Sequence, residues 1–406
     1  MATKILELDI EAITPILFEE AYDRYRVLVR SQQQPIGWIS FQKNKTGSIS
    51  PQQIQQKIKA QMGYSVVPPA LVRAFALPQK TVIPEEGITI VVCTRNRTAQ
   101  LFTCLDTLLA LHYSTYEIII VDNAPSDNAT YDLATRLPVR YVRENRPGLD
   151  WARNRGIKEA RYDIIAFTDD DVRVDPYWLQ SIAKTFINKE VMGASGYVAP
   201  AELETKPQHV FELQYGGMGH GFKRRVLSKK TLSTRQLLWA SSFGIGANMA
   251  FRKEVFQKIG DFDTALDVGT PSHGGGDIEM FHRLVRNGHL FVYEPSMLIW
   301  HYHRREEKAL RRQIFDNGRS FGCYLIDCFL KKTISRVSIV KFFVVDWLWK
   351  WNVKNLLGRR TKIPRRLSAM ELYGMLTSPF AYWKTKAHIR KISRHYPSSN
   401  DPSTSK

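Results

Sequence analysis

Hydrophobic and polar positions follow three regimes along this chain. Near the N-terminus, Tyr25-Arg26-Val27-Leu28-Val29-Arg30 alternates with a two-residue period, which predicts a half-buried strand. Pro35-Ile36-Gly37-Trp38-Ile39 follows at the right distance to return as its hairpin partner. Ser50-Pro51 then opens a polar amphipathic helix running towards Met62. Pro68, Pro69, Pro78 and Pro84 punctuate the linker after it. Residues 1–80 therefore read as a small, separate α+β module without visible chemistry, suited to an accessory role.

From Ile88 onward the pattern changes to strands alternating with helices. Continuous apolar runs over 88–93 and 118–121 read as buried strands, and 139–142 as another. Between the first two, Thr98 is placed to cap a helix with Leu101, Leu105, Leu108 and Leu111 on one face. A helix after Gly148 precedes a further strand over 164–167. Such alternation predicts a parallel, doubly wound sheet over 85–303. The later half is less regular: strands are expected over 191–198, 244–251 and 291–294, with helices over 253–259 and from Asp277 to Asn287-Gly288.

Chemistry gathers at the predicted strand ends. The strand over 164–167 runs through Thr168 into Asp169-Asp170-Asp171, and ligands of open α/β sheets bind at the carboxyl ends of strands. Three adjacent carboxylates repel one another unless neutralised, which suits a hard divalent cation; a helix N-terminus near Pro176 is the plainer alternative. Thr94, Arg95 and Arg97 follow the first strand, and Asp122 the second, so several polar strand ends converge on one crevice.

Composition changes the picture mainly through charge. Of 406 residues, 44% are hydrophobic, which is ordinary for a globular protein. The formal net charge of +19 is not, and residues 304–406 hold most of it, with 23 Lys and Arg against 7 Asp and Glu. A basic appendage of this kind points to an anionic surface as partner. The four cysteines form no CxxC pair and fit reduced, buried thiols. No signal-peptide pattern opens the chain and no run of 18 apolar residues interrupts it, so the expected location is the cytoplasm.

Six motifs then agree in order: CTRNR, VDNAPSD, GLDWARNRG, FTDDD, GANMAFRKEVF and GGGDIEMFHRL. Together they resemble the family 2 glycosyltransferases, over roughly Ile88 to His303. The resemblance implies a GT-A fold, a Rossmann-like mixed, mainly parallel sheet flanked by helices. It implies an inverting transfer from a nucleotide sugar, with UDP favoured, to a glycan or lipid-linked acceptor, assisted by Mn²⁺ or Mg²⁺. On the matching positions, Asp169 and Asp171 correspond to the outer acids of the DxD motif, Asp171 as metal ligand and Asp169 on ribose or metal, with Asp170 between them. Asp122 would bind uracil or ribose, Thr94 and Arg95 would line the base pocket, and Arg153 would meet the nucleotide. Asp277 takes the position of the general base. The family helix usually begins Glu-Asp, and here Gly276 stands where that Glu sits. His301 lies where some relatives place a third metal ligand; His303 and Arg155 are expected to be structural.

Residues 304–396 are expected to form a helical basic extension, with Leu310, Ile314 and Phe321 as its first apolar stripe. The tryptophans and lysines of 337–351 suit the interface of an anionic membrane at its inner face, with packing on the catalytic domain as the alternative. The Pro/Ser-rich tail over 397–406 is expected to be disordered. Two rivals are weaker. A nucleotidyltransferase usually carries a glycine-rich phosphate loop after its first strand, which CTRNR lacks. A nucleic-acid binder is unlike a chain whose acids would repel phosphate.

Overall fold

The computed structural model describes residues 2–44, 47–63, 85–358 and 363–396. Pro68, Pro69, Pro78 and Pro84, and the tail from residue 397, lie outside the described residues. Strands β1 (Thr3–Asp9), β3 (Arg24–Ser31) and β4 (Gln34–Gln42) form a three-stranded sheet, and β2 (Ile16–Leu17) pairs with β5 (Ser48–Ile49). The β3–β4 hairpin closes through Gln32 and Gln33 with φ of 49° and 68°, the left-handed pair that matches strand twist in a two-residue turn. The helix Pro51–Met62 begins on a capping box between Ser50 and Gln53 and ends on left-handed Gly63. Strand β1 was not expected. It pairs parallel with β3, and the charged residues in its sequence hide its period.

This N-terminal unit is not separate. One face of its sheet makes its own core from Val27, Val29, Ile39, Ile54 and Ile58. The other face sends Leu28 and Trp38 into a cluster with Tyr197, Ala199, Leu298 and Trp300. Those four belong to the central sheet, so the unit forms a layer over it. Arg30 pairs with Asp175, and the Thr3 amide donates to the Leu203 carbonyl at 2.8 Å.

The central sheet contains β6 (Ile88–Thr94), β7 (Tyr116–Asn123), β8 (Arg140–Glu144), β9 (Ile164–Asp169), β10 (Val172–Val174), β11 (Val191–Pro200), β12 (Arg225–Leu227), β13 (Asn248–Arg252) and β14 (Leu290–His301). Its order is β10-β14-β11-β13-β9-β6-β7-β8, with β12 on β14. Strands β9, β6, β7 and β8 are mutually parallel, as are β11 and β14, while β13 runs against both neighbours. The result is a mixed, mainly parallel sheet. The chain leaves β6 for β7 and β8, then returns to place β9 on the other side of β6. That reversal opens a crevice beyond the ends of β6 and β9.

Burial follows the predicted stripes. Leu101, Leu105, Leu108 and Leu111 are all buried under the sheet. Thr98 is the first residue of its helix rather than the cap; Arg97 holds the cap position without a side-chain cap bond. The strands expected at 291–294 and around Trp300 are one strand, β14. Pro295 is absorbed by an irregularity in which pairing passes from Gly196–Glu294 to Tyr197–Leu298.

In the C-terminal region the helices Glu307–Leu330 and Arg365–His395 run side by side in the same direction. Their backbones touch: a Cβ on Gly318 would lie 2.0 Å from the Glu371 carbonyl, and one on Gly374 would lie 1.9 Å from that of Phe315. Only glycine permits this spacing. The segment between them holds the helix Arg336–Lys341 and a π-helical stretch, Phe342–Val353, that buries Phe342 and Trp347 against Phe321 and Tyr324.

Candidate active site

Two adjoining cavities open at the carboxyl edge of the sheet. The first, of about 440 Å³, lies over the ends of β6 and β9 and is lined by Thr94, Arg95, Arg97, Asn123, Asp169, Asp170, Asp171, His301 and Arg304. Asp170 accepts from Thr94 Oγ1 at 2.8 Å and pairs with Arg97 Nη1 at 2.6 Å. Asp171 Oδ2 accepts from Arg97 Nη2 at 2.8 Å, and its Oδ1 lies 3.4 Å from His301 Nε2. One guanidinium therefore clamps two neighbouring acids, and Arg304 stands 3.8 Å behind.

The three carboxylates differ in their surroundings. Burial pushes Asp170 up to about 6, against the pull of Arg97 and Thr94. Burial also raises Asp169, and the charge on Asp171 adds to it. Burial acts on Asp171 too, but the hydrogen bond and charge of His301, followed by Arg97, hold it far below the usual carboxylate range. Asp171 is thus a fixed anion, while the Asp169 carboxylate takes no hydrogen bond from the described residues. Among the described residues no three His, Cys, Asp or Glu side chains converge as they stand into a metal cage. The donor chemistry nonetheless fits a hard divalent cation. Asp169 is raised by burial and by a neighbouring anion and takes no hydrogen bond among the described residues, and a cation between the two acids would relieve both the repulsion and the missing partner.

Thr94, Arg95, Arg97, Asp169, Asp170, Asp171 and His301 come together as the motifs suggested. Asp122 does not. It is fully buried at the end of β7, where Tyr141 donates to its Oδ2 at 2.9 Å. Side chains alternate along a strand, so the next residue faces the cleft instead: Asn123, held by the Gly148 amide and the Arg146 carbonyl at 2.8 Å each. Arg153 also departs from expectation. It is buried, bonded to Asp150 at 3.0 Å, and lines the second cavity rather than the cleft. Arg155 makes an ordinary ion pair with Glu159. His303 is structural, between His301 and Glu212.

The second cavity, of about 530 Å³, is lined by Asp150, Arg153, Asp169, Gly246, Asp277, Trp239, Phe321, Trp351 and Glu371 among others. Asp169 thus borders both cavities. Asp277 is the second residue of the helix Gly276–Arg286, whose cap is Gly275 at φ 106°. It therefore does not cap the helix. Its Oδ1 accepts from the Ile278 amide and its Oδ2 from the Gly246 amide, both at 2.9 Å, which fixes the carboxylate at the cavity wall.

Gly276 has a local reason. A Cβ there would lie 2.0 Å from Asp150 Oδ2, so the space a side chain would need is already taken by a carboxylate from the helix Leu149–Glu159. Asp150 Oδ2 is buried without a partner among the described residues, and burial together with Asp267 raises the acid well above its ordinary value. Sequence reasoning missed Asp150, although it sits inside the GLDWARNRG motif. It also missed Glu371, which receives the Trp351 indole N–H on both oxygens at 3.2 and 3.0 Å and is pushed by burial up to about 7. A signal existed: Glu371 is the one acid between Asp346 and Asp401 in a strongly basic stretch.

Residues 89–260 match the family model described as Glycosyl transferase family 2. Among curated proteins, the hyaluronan synthase of Pasteurella multocida is 26% identical over 241 residues, covering 53% of this chain and 24% of the synthase. The chondroitin synthase of Escherichia coli is 26% identical over 252 residues, covering 55% of this chain and 36% of that one. The poly-beta-1,6-N-acetyl-D-glucosamine synthase of Staphylococcus aureus is 28% identical over 224 residues, covering 53% and 50%. The chain thus spans half or less of the length of these three relatives. Among solved structures, a mannosyltransferase of Pyrobaculum calidifontis in complex with GDP-Man and Mn²⁺ covers 77% of this chain and 76% of its own, with 16% identity and a TM-score of 0.43. S. aureus TarS 1-349 covers 75% and 91%, with 13% identity and a TM-score of 0.45. The family model and the three curated relatives are thus similar to this chain over about half of it or less.

Proposed function

We propose that this chain transfers a sugar from a nucleotide donor, a UDP-sugar by family preference, to a hydroxyl of a glycan or lipid-linked acceptor with inversion at the anomeric carbon. The observation that carries the reading is the position of Asp169 on the wall shared by a cleft with bound arginines and a cavity with an oriented carboxylate. The diphosphate belongs in the cleft with Arg95, Arg97 and Arg304, and the acceptor in the cavity with Asp277. The acceptor oxygen attacks the anomeric carbon as Asp277 takes its proton, and the bond to the diphosphate breaks on the opposite side. A positioned carboxylate in this role contributes on the order of 10² to 10⁴-fold. Asp169 and Asp171, with His301, would hold a divalent cation, Mn²⁺ or Mg²⁺. Such an ion, when bound, neutralises charge developing on the leaving diphosphate.

A carbohydrate acceptor is supported by the cavity lining. Trp239, Phe321 and Trp351 offer aromatic surface, with Trp239 and Trp351 centroids 6.0 Å apart, and Glu371 adds a buried polar anchor. The names of the relatives, three polysaccharide synthases, favour an extracellular or cell-envelope glycan as product.

The test is Asp277→Asn with calorimetric titration of UDP, GDP and dTDP in the presence and absence of Mn²⁺. Loss of transfer with unchanged nucleotide affinity is expected. Equal loss of nucleotide binding would overturn the assignment of Asp277 as base.

A further inference from the structure

The helix Arg365–His395 turns one face inward. Gly374 meets the helix Glu307–Leu330 there, and Glu371 reaches the second cavity. Its outer face carries Tyr373, Leu376, Phe380 and Trp383, exposed to 59, 66, 66 and 64%. Steps of three, four and three residues stack these side chains into one ridge, about 15 Å long at helical rise. Exposed apolar residues scattered singly are normal, but four successive members of one stripe form a patch. Beyond the ridge the same helix turns basic, with Lys384, Arg390, Lys391 and Arg394 exposed. Its one acid, Glu371, is buried on the inner face. Lys384 lies over the Phe380 ring at 4.5 Å, so charge begins where the ridge ends.

We propose that this ridge seats the protein in the headgroup layer of an anionic lipid bilayer, with the basic end of the helix on lipid phosphates. Charge selects the occupant. A second copy would bring two basic helix ends together on chains that each carry +19, whereas an anionic bilayer neutralises them. An aromatic ridge bordered by lysine and arginine is the composition of an interfacial helix. Among the described residues no helix is long and apolar enough to cross a membrane, so the contact is peripheral. The stretch 337–351, where attachment was expected, is divided: Val337, Val340, Val344 and Trp349 are exposed, while two of its tryptophans turn inward. Trp347 is only 2% exposed in the core, and Trp351 is committed to Glu371.

The experiment is co-sedimentation of the full chain with vesicles of phosphatidylcholine alone or with about one third phosphatidylglycerol. Wild type should pellet with the anionic vesicles and stay in the supernatant with the neutral ones. Phe380→Ser with Trp383→Ser should weaken binding by at least about ten-fold, and Lys391→Ala by about five-fold. Both substitutions sit on exposed positions, and unchanged circular dichroism and nucleotide titration would keep folding and the donor site out of the readout. Absent vesicle binding, equal binding to both lipids, or an unaffected double variant would each overturn the proposal. A concentration-dependent dimer lost in the double variant would overturn it in favour of a second copy.

Discussion

Nδ1 of His301 lies 3.3 Å from Nδ1 of His303, and this contact joins the acids of the cleft to the N-terminal layer. On one side, His301 Nε2 faces Asp171 at 3.4 Å. On the other, His303 Nε2 faces Glu212 Oε2 at 3.2 Å, and Glu212 Oε1 pairs with Arg26 of β3 at 3.2 Å. Arg26 is itself stacked over Trp38 at 4.6 Å. The N-terminal layer thereby reaches the candidate metal site through four side chains.

Arg26→Met should expose what this connection does. Removing the cation leaves Glu212 buried and under-compensated, at a cost of about 1–3 kcal/mol in stability. The histidines should then hold Asp171 less firmly, weakening Mn²⁺-dependent nucleotide binding by about ten-fold. Calorimetric titration reads the second effect and a thermal melt the first, and Arg26→Lys should recover part of both. A lower melting temperature with unchanged affinity would mean that the contact only holds the layers together.

The middle and last acids of the triple run should separate in their effects. Asp171→Asn removes the anion that Arg97 and His301 surround and should lower Mn²⁺-dependent nucleotide affinity by about 100-fold or more. Asp170 faces Thr94 and Arg97, so Asp170→Asn should act only through the tilt of Arg97, by about ten-fold. Equal losses in the two titrations would contradict these separate roles.

Gly276→Ala inserts a methyl group 2.0 Å from Asp150 Oδ2 and 3.0 Å from the Leu266 carbonyl. Overpacking of this kind costs about 1–3 kcal/mol. Because Asp277 is the next residue, transfer should fall while nucleotide affinity in the cleft stays within about two-fold, as chemistry is sensitive to small displacements. Melting curves and paired kinetic and binding assays check both halves.

Glu371 predicts a pH dependence. Burial raises its carboxyl from 4.5 to about 7 in the folded chain, so between those values the folded state binds the proton that the unfolded state has released. Its contribution is fully present below pH 4.5 and is lost as pH rises through about 7. The change is on the order of 3 kcal/mol. Glu371→Gln should be the more stable protein at pH 8 and should lose that advantage at pH 4.5. Parallel melting curves for the two chains would contradict the assignment.

Much of the catalytic region was legible because its physics is local. Buried parallel strands announce themselves as continuous apolar runs, and acids at their ends land on one rim wherever the strands are parallel. Asp169, Asp170, Asp171, Thr94 and Arg97, expected on those grounds and through the six motifs, line one cleft, and Asp277 lines the adjoining cavity. Of the neighbours Asp122 and Asn123 only Asn123 lines the cleft, because the register of β7 decides which of the two faces it. Arg153, expected to meet the nucleotide, lines the second cavity, where its direction is set by Asp150 on the preceding helical turn.

The sequence by itself determined the alternating elements, the hairpin of the first layer, the acid-bearing strand ends and the basic character of the last quarter. Each depends on neighbours within a turn or a strand. Only the tertiary structure decided that β1 to β4 cover the central sheet, that Glu212 and Arg26 back the cleft histidines, that Asp150 fills the space beside Gly276, and that Glu371 enters the second cavity. These contacts join residues far apart in the chain, and a buried charge is worth nothing until packing brings its partner within reach.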